Sequence, residues 1–162
     1  MKTIALLLLA LTLVGCQATK DTSPSQGSSI GDSNLAAGQA YMAQNAKRAG
    51  VTTTASGIQY KILRAGGKAK YDPTIHGTAP TATVMYRGRL IDGTVFDQSD
   101  SPIQFNIMQV IPGFTEALQT MPIGSVWEVT IPAHLAYGEH GPASIGPNST
   151  LIFEMALLDL SR

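Results

Sequence analysis

Five prolines stand ten residues apart, at positions 102, 112, 122, 132 and 142, and the residues around them do not repeat. Proline stops a helix interior and is excluded from a central ladder position. The second half of the chain must therefore consist of short elements joined by turns. A tandem-repeat architecture would also space its prolines evenly, but it would repeat their flanks as well. The 16 glycines, 9 prolines and low charged fraction of 14% agree with a turn-rich β protein. A helical bundle would be crowded with Ala, Glu, Lys and Leu instead.

Between these stops the apolar residues recur at every second position, the period of a half-buried strand. Ile58, Tyr60 and Ile62 alternate with Gln59 and Lys61, and residues 68–80 then read as loop. Residues 83–90 carry Val84, Tyr86 and Leu90 on one face, closed by Asp92-Gly93, a strong hairpin signal. Ile103, Phe105 and Ile107 alternate next, then Trp127, Val129 and Ile131 up to Pro132, and last Leu151, Phe153, Met155 and Leu157. Between the third and fourth runs, Pro112 suits the first turn of a helix, Phe114 and Leu118 lie one turn apart, and Pro122 ends it. The connections are too short for parallel crossovers. The pattern predicts an α+β fold: a curved antiparallel β-sheet of about five strands wrapped over one short α-helix, preceded by a short N-terminal helix.

The N-terminal part is of another kind. Met1-Lys2 is a positive start, residues 4–14 are almost wholly apolar, and Gly15-Cys16 follows. That is a secretory leader, about half the length needed to span a bilayer as a helix. Leu13-Val14-Gly15-Cys16 resembles the bacterial lipobox, which implies cleavage before Cys16 and lipid on its sulfur and amine. Several acyl chains give durable attachment where one does not. Gln17, in place of the Asp that favours inner-membrane retention in some bacterial lipoproteins, directs the expectation to the outer membrane. The expected organisation is a leader over residues 1–15, lipidated Cys16 and a flexible polar tether over 16–33, a short helix within 34–50, and one domain over 51–162. The helix is expected to be capped by Ser33 or Asn34, to present Leu35, Met42, Ala46 and Ala49, to place Lys47 and Arg48 at its negative end, and to stop at Gly50. Gly27-Ser28-Ser29-Ile30-Gly31 matches the G-x-S-x-G nucleophile elbow, but a Ser-rich tether offers no strand before it and no helix after it.

Much chemistry is excluded. Eleven basic and eleven acidic residues give a formal net charge of zero, so electrostatics favours no nucleic-acid partner. His76, His134 and His140 lack the paired spacing and neighbouring cysteines of a zinc site. No Gly-Lys-Ser or Gly-Lys-Thr string cradles a phosphate, and no sequence spacing pairs two carboxylates for hydrolysis. We expect no metal and no cofactor. What remains is a set of aromatic and branched residues at strand ends and loops, which could be plain core or could line an apolar pocket rimmed by Asp97 and Tyr137.

Taken in order, five stretches resemble the FKBP-type peptidyl-prolyl cis-trans isomerases. They are residues 84–97, including Tyr86-Arg87-Gly88 and Asp92-Gly93-Thr94-Val95-Phe96-Asp97; Val110-Ile111-Pro112-Gly113-Phe114; Met121-Pro122-Ile123-Gly124-Ser125; Leu135-Ala136-Tyr137-Gly138; and residues 147–153. Gly50-Val51 and residues 56–60 further resemble bacterial members of the macrophage infectivity potentiator type. The resemblance implies a catalytic pocket of Asp97, Tyr137, Ile111, Phe114 and Phe153, with Tyr86, Phe96, Ile103, Val110 and Ile145 binding substrate. It further implies that the Ile111 N–H and the Tyr137 hydroxyl hold substrate carbonyls and that Asp97 contacts the twisting amide. Here the family's usual floor tryptophan is Phe114, Ile103 stands where many members carry Phe or Val, Gly146 replaces the first of two usual prolines, and Gln98 replaces a usual Ser. Trp127 is expected in the core.

With the lipobox-like string, the resemblance implies a lipid-anchored isomerase, or rotamase, facing the periplasm and assisting protein folding. Its partners would be proline-containing polypeptides, rapamycin-like macrolides, and the membrane through lipid on Cys16. A non-catalytic module that binds proline segments, or a holding chaperone, is the alternative. Dimeric relatives carry a long helical region ahead of the isomerase domain. Only residues 34–50 are available for it here, so a monomer is expected.

Overall fold

The computed structural model describes residues 29–162. The leader, Cys16, the tether as far as residue 28, and Gly27 and Ser28 of the G-x-S-x-G string lie outside the described residues. The elements are α1 (Ile30–Asn45), β1 (Val51–Thr53), β2 (Gln59–Arg64), α2 (Pro73–His76), β3 (Thr81–Leu90), β4 (Val95–Gln98), β5 (Ile103–Asn106), α3 (Pro112–Thr120), β6 (Val126–Ile131) and β7 (Leu151–Ser161). α2 is one helical turn inside the stretch expected as loop.

The strands form one antiparallel sheet in the order β1-β2-β6-β7-β3-β4, with β5 also paired to β3. It has seven strands where about five were expected. The additions are β1, three residues long, and β4, the return arm of the Asp92-Gly93 hairpin. Neither is long enough to show alternation in the sequence. β4 and β5 share one edge of β3: β5 pairs with its first half from Thr81 to Val84, and β4 with its end from Arg87 to Arg89. Between the two short strands, Ser99 takes over the edge: its N–H donates to the Tyr86 carbonyl and its Oγ accepts from the Tyr86 N–H, both at 2.9 Å.

The inward residues of the long strands, including Val84, Trp127, Val129, Ile131, Leu151, Met155 and Leu157, are buried together. α3 lies across this face. Pro112 occupies its first turn, and Met121, the residue before Pro122, has extended backbone, as a residue before proline must. Phe114, Ala117 and Leu118 are buried on its inner side. A side chain on Gly113 would collide with Ile131 of β6, so glycine sets how closely the helix approaches the sheet. Trp127 is core, as expected, and stacks on Tyr60 with ring centroids 4.2 Å apart.

α1 departs from expectation at both ends. Ser29 caps it, not Ser33 or Asn34, through a capping box: the Asp32 N–H donates to Ser29 Oγ and the Ser29 N–H to Asp32 Oδ2, each at 3.1 Å. Residues 30–33 are therefore helix, not tether. The helix ends at Asn45, and Arg48 lies beyond its last turn, where it pairs with Glu128 of β6 at 2.8 Å. The expected apolar face is also not the buried one. Leu35 is 40% exposed, while the residues α1 buries are Gly31, Gly38 and Asn45, seven apart. Seven residues are nearly two full turns, so these three form one stripe. A Cβ at Gly38 would collide with Thr150 Oγ1. Asn45 Nδ2 donates to Gln59 Oε1 at 2.8 Å and to Thr130 Oγ1 at 3.3 Å, and Gln59 Nε2 donates to the Met42 carbonyl at 2.9 Å. Close backbone approach and a buried polar cluster dock this helix.

Candidate active site

Between α3, the end of β3, β4, β5 and the turn at Tyr137 lies an open cavity of about 370 Å³, lined by Tyr86, Phe96, Asp97, Phe105, Gln109, Val110, Ile111, Phe114, Tyr137 and Phe153. Its size falls in the range typical of small-ligand pockets, ~300–1,000 Å³. Rings make up most of it. Phe114, 4% exposed, lies in the first turn of α3 and is the most deeply buried ring of the lining. It meets Phe153 edge-on at 5.1 Å, Tyr86 at 6.0 Å and Phe105 at 6.2 Å. Phe96 packs edge-on against Phe153 at 5.6 Å. Edge-to-face pairs hold rings apart at fixed angles instead of collapsing them into a stack. That is how an aromatic wall can surround an open space.

Gly88 makes this wall possible. A Cβ there would lie 2.6 Å from Phe96 Cζ and 2.8 Å from Phe153 Cε1. Without it, the two rings rest directly on the β3 backbone.

The polar groups sit at the rim. Tyr86 Oη donates to Asp97 Oδ2 at 2.6 Å across the β3–β4 pair. Burial first, then the hydrogen bond to Asp97 and the nearby negative charge, push the Tyr86 phenol above its ordinary range. It therefore stays a protonated donor through neutral pH and fixes the Asp97 carboxylate by one oxygen. Ile111 is the N-cap of α3, and its carbonyl accepts from the N–H groups of Phe114 and Thr115 at 2.9 and 3.1 Å. Its own N–H precedes the helix, where no carbonyl one turn back can accept it, and Pro112 has none to offer. Tyr137, 45% exposed, stands on the opposite rim ahead of a short 3-10 turn, Gly138–His140.

The structure thus brings together Asp97, Tyr137, Ile111, Phe114, Phe153, Tyr86, Phe96 and Val110. Two expected members are elsewhere. Ile103 is 41% exposed at the start of β5 and does not line the cavity. Phe105, two residues on and so on the same strand face, takes that wall; the small Ala82 opposite it leaves its ring free to reach Tyr86 at 5.8 Å. Ile145 is buried in the core and borders a separate cavity with Asn34, Leu90 and Ile91. The N–H groups of Ile145 and Gly146 both return to the Pro142 carbonyl at 2.8 Å, and the resulting turn directs Ile145 inward. Phe105 was visible as an alternating strand residue, whereas Gln109, an exposed loop residue, carried no signal. Among the described residues no group of three or more His, Cys, Asp or Glu could hold a metal ion.

Residues 75–158 match the family model described as FKBP-type peptidyl-prolyl cis-trans isomerase. The chain belongs to the FKBP-type peptidyl-prolyl cis-trans isomerase family. Residues 15–62 match the domain amino-terminal to such isomerases, so α1, β1 and the first four residues of β2 lie in that segment, although β1 and β2 are hydrogen-bonded into the main sheet. The chain is 48% identical over 137 residues to the outer membrane protein MIP of Legionella longbeachae, covering 81% of this chain and 56% of that protein. It is also 48% identical over 129 residues to an FKBP-type 22 kDa peptidyl-prolyl cis-trans isomerase of Escherichia coli K12, covering 77% and 60%. The chain thus spans under two thirds of these relatives' length. Among solved structures, a peptidyl-prolyl cis-trans isomerase from Pseudomonas syringae pv. tomato superimposes with a TM-score of 0.76 at 37% identity, covering 83% of this chain and 98% of that one. FkpA from Escherichia coli gives 0.73 at 40% identity, covering 81% and 61%. The FKBP-like α+β fold predicted from the sequence is the fold observed.

Proposed function

We propose that this chain accelerates cis-trans isomerisation of Xaa-Pro bonds in polypeptides folding in the bacterial envelope. The observation that carries the reading is the ring-walled hollow itself, with Phe114 its most deeply buried ring, open between Asp97 and Tyr137. The barrier to peptide rotation, ~18–20 kcal/mol, comes from amide resonance, which puts negative charge on oxygen and double-bond character into C–N. An apolar hollow stabilises that charge separation less well than water does, and so favours the twisted amide, in which the resonance is broken. The pyrrolidine ring packs on Phe114, with Phe96 and Phe153 beside it. Ile111 N–H and Tyr137 Oη hold carbonyls of the flanking chain. Asp97, oriented by Tyr86, faces the twisting amide. No nucleophile and no proton transfer take part. Each ~1.4 kcal/mol of preference for the twisted form gives a factor of ten in rate.

The proposed setting is the envelope, with lipid on Cys16 and the domain facing the periplasm from the outer membrane. The lipobox-like string and the relative named as an outer membrane protein support it. No helix among the described residues is long and apolar enough to cross a membrane. Rapamycin-like macrolides are expected to compete with proline peptides for the hollow, and nucleic acid is not an expected partner. We propose a monomer, because α1 spends its Gly31, Gly38 and Asn45 stripe on its own domain: the two glycines against the loop before β7 and Asn45 against β2 and β6. Light scattering at micromolar concentration checks this, and a stable dimer contradicts it.

The central test is a protease-free isomerisation assay on a Xaa-Pro peptide from about pH 6 to pH 9, with wild type, Asp97→Leu and Tyr137→Phe. We expect acceleration by wild type, a flat pH profile, and a loss of about tenfold or more in each variant. Binding without acceleration, or a steep profile with one essential ionisation, refutes the mechanism.

A further inference from the structure

One peptide unit joins α1 to the rim of the hollow. Asn34, on the side of α1 next to the loop before β7, donates from Nδ2 to the Pro147 carbonyl at 2.8 Å. The N–H of the same peptide unit belongs to Asn148 and donates to the Gly138 carbonyl at 2.7 Å. Gly138 directly follows Tyr137. A peptide unit is planar and stiff, so its C=O and N–H cannot reorient independently. Whatever fixes the carbonyl at Pro147 also fixes the donor that holds Gly138.

The local backbone suits a unit bound on both sides. Asn148 has φ +53°, the one non-glycine residue with positive φ among the described residues. Asparagine is among the side chains that tolerate this left-handed conformation best, so the unit can sit where its neighbours place it at little cost. The surroundings here are α1 on one side and the Tyr137 turn on the other. Gly31 lets α1 approach, since a Cβ there would lie 3.2 Å from Asn148 Nδ2 and 3.5 Å from Pro147 Cβ. Tyr137 itself is 45% exposed, so packing alone does not hold its turn.

We propose that Asn34 is a positioning residue for the isomerase site: through the Pro147–Asn148 peptide it sets the turn that aims Tyr137 at the bound chain. This rests on the isomerase reading above. The N-terminal helix is then part of the device that fixes the substrate-holding rim. Because Tyr137 grips a flanking carbonyl in ground state and twisted state alike, loosening it weakens binding more than turnover.

The test compares, in the full chain, wild type, Asn34→Asp, Tyr137→Phe and the double variant, with Asn45→Ala as control. Asn34→Asp keeps the shape but places an oxygen against the Pro147 carbonyl. Asn45→Ala loosens the far end of α1 and leaves the Asn34 amide in place. The expected result is that Asn34→Asp raises KM for a Xaa-Pro peptide about fivefold with kcat within about twofold, that it adds nothing in the Tyr137→Phe background, and that Asn45→Ala leaves KM unchanged. Equal KM changes in Asn34→Asp and Asn45→Ala, or full additivity with Tyr137→Phe, overturn the proposal. If wild type shows no acceleration, the isomerase reading falls and the resonance of the Glu139 amide, which shares its peptide unit with the Gly138 carbonyl, decides about the relay. A shift in Asn34→Asp and not in Asn45→Ala upholds the relay, and an unmoved resonance overturns it.

Discussion

Replacing Gly88 by alanine tests whether the ring wall is what the site works with. The added Cβ would lie 2.6 Å from Phe96 Cζ and 2.8 Å from Phe153 Cε1. Carbon atoms rest at about 3.5–4.0 Å, so both rings must retreat by roughly 1 Å. Gly88 lies mid-strand, paired with Phe153 on one side and Asp97 on the other, so its backbone conformation suits alanine and the cost is steric. Overpacking of this kind costs about 1–3 kcal/mol, a fall in Tm of roughly 3–15 °C for a domain of this size. Two walls move at once, and a displacement near 1 Å in a positioning wall can cost on the order of a hundredfold in kcat/KM. The control is Gly93→Ala. Gly93 has φ +92° with nothing within 4 Å of its added Cβ, so that substitution strains a turn and moves no ring. It should lower stability while leaving turnover within a factor of about two. The assay is protease-free isomerisation beside thermal unfolding. Full turnover in Gly88→Ala, or equal losses of activity in the two variants at matched stability, would refute the reasoning.

Three further outcomes are expected. With the Tyr86 phenol pushed above its ordinary range in the folded protein, the unfolded chain releases that proton first as pH rises past about 10. Folding stability therefore declines above that pH, and denaturant midpoints of Tyr86→Phe between pH 8 and 11 should lack this part of the decline. Asn45→Ala removes a donor buried against Gln59 and Thr130, and should cost about 1–3 kcal/mol. Hydrogen exchange should then show the C-terminal end of α1 losing protection before the sheet, and an unchanged pattern contradicts the docking role. Cys16→Ser should lose acyl mass and move the chain from the membrane to the soluble fraction; retention on the membrane contradicts the anchor.

The sheet and α3 were legible because their signals are local. Alternation at Val84, Tyr86, Trp127, Val129, Phe153 and Met155 reports a strand's buried face whatever its neighbours are, and Pro112 and Pro122 bound α3 by steric rule. The buried face of α1 is not legible in the sequence because hydrophobic periodicity registers only large apolar residues. Its buried stripe is two glycines and an asparagine, and its docking relies on closeness and hydrogen bonds. The capping box at Ser29 and Asp32 was in the sequence but lay within a stretch whose composition suggested a tether.

The amino-acid sequence alone determined which residues alternate and where the chain turns. Only the tertiary structure decided which rings share the hollow. Phe105 takes the wall instead of Ile103, and Ile145 turns into the core. That choice depends on the offset between β3 and β5 and on a turn closed at Pro142, relations between residues far apart along the chain or set by loop geometry. The direction of a side chain at a strand end follows from its partners across the ladder, and those exist only once the sheet is assembled.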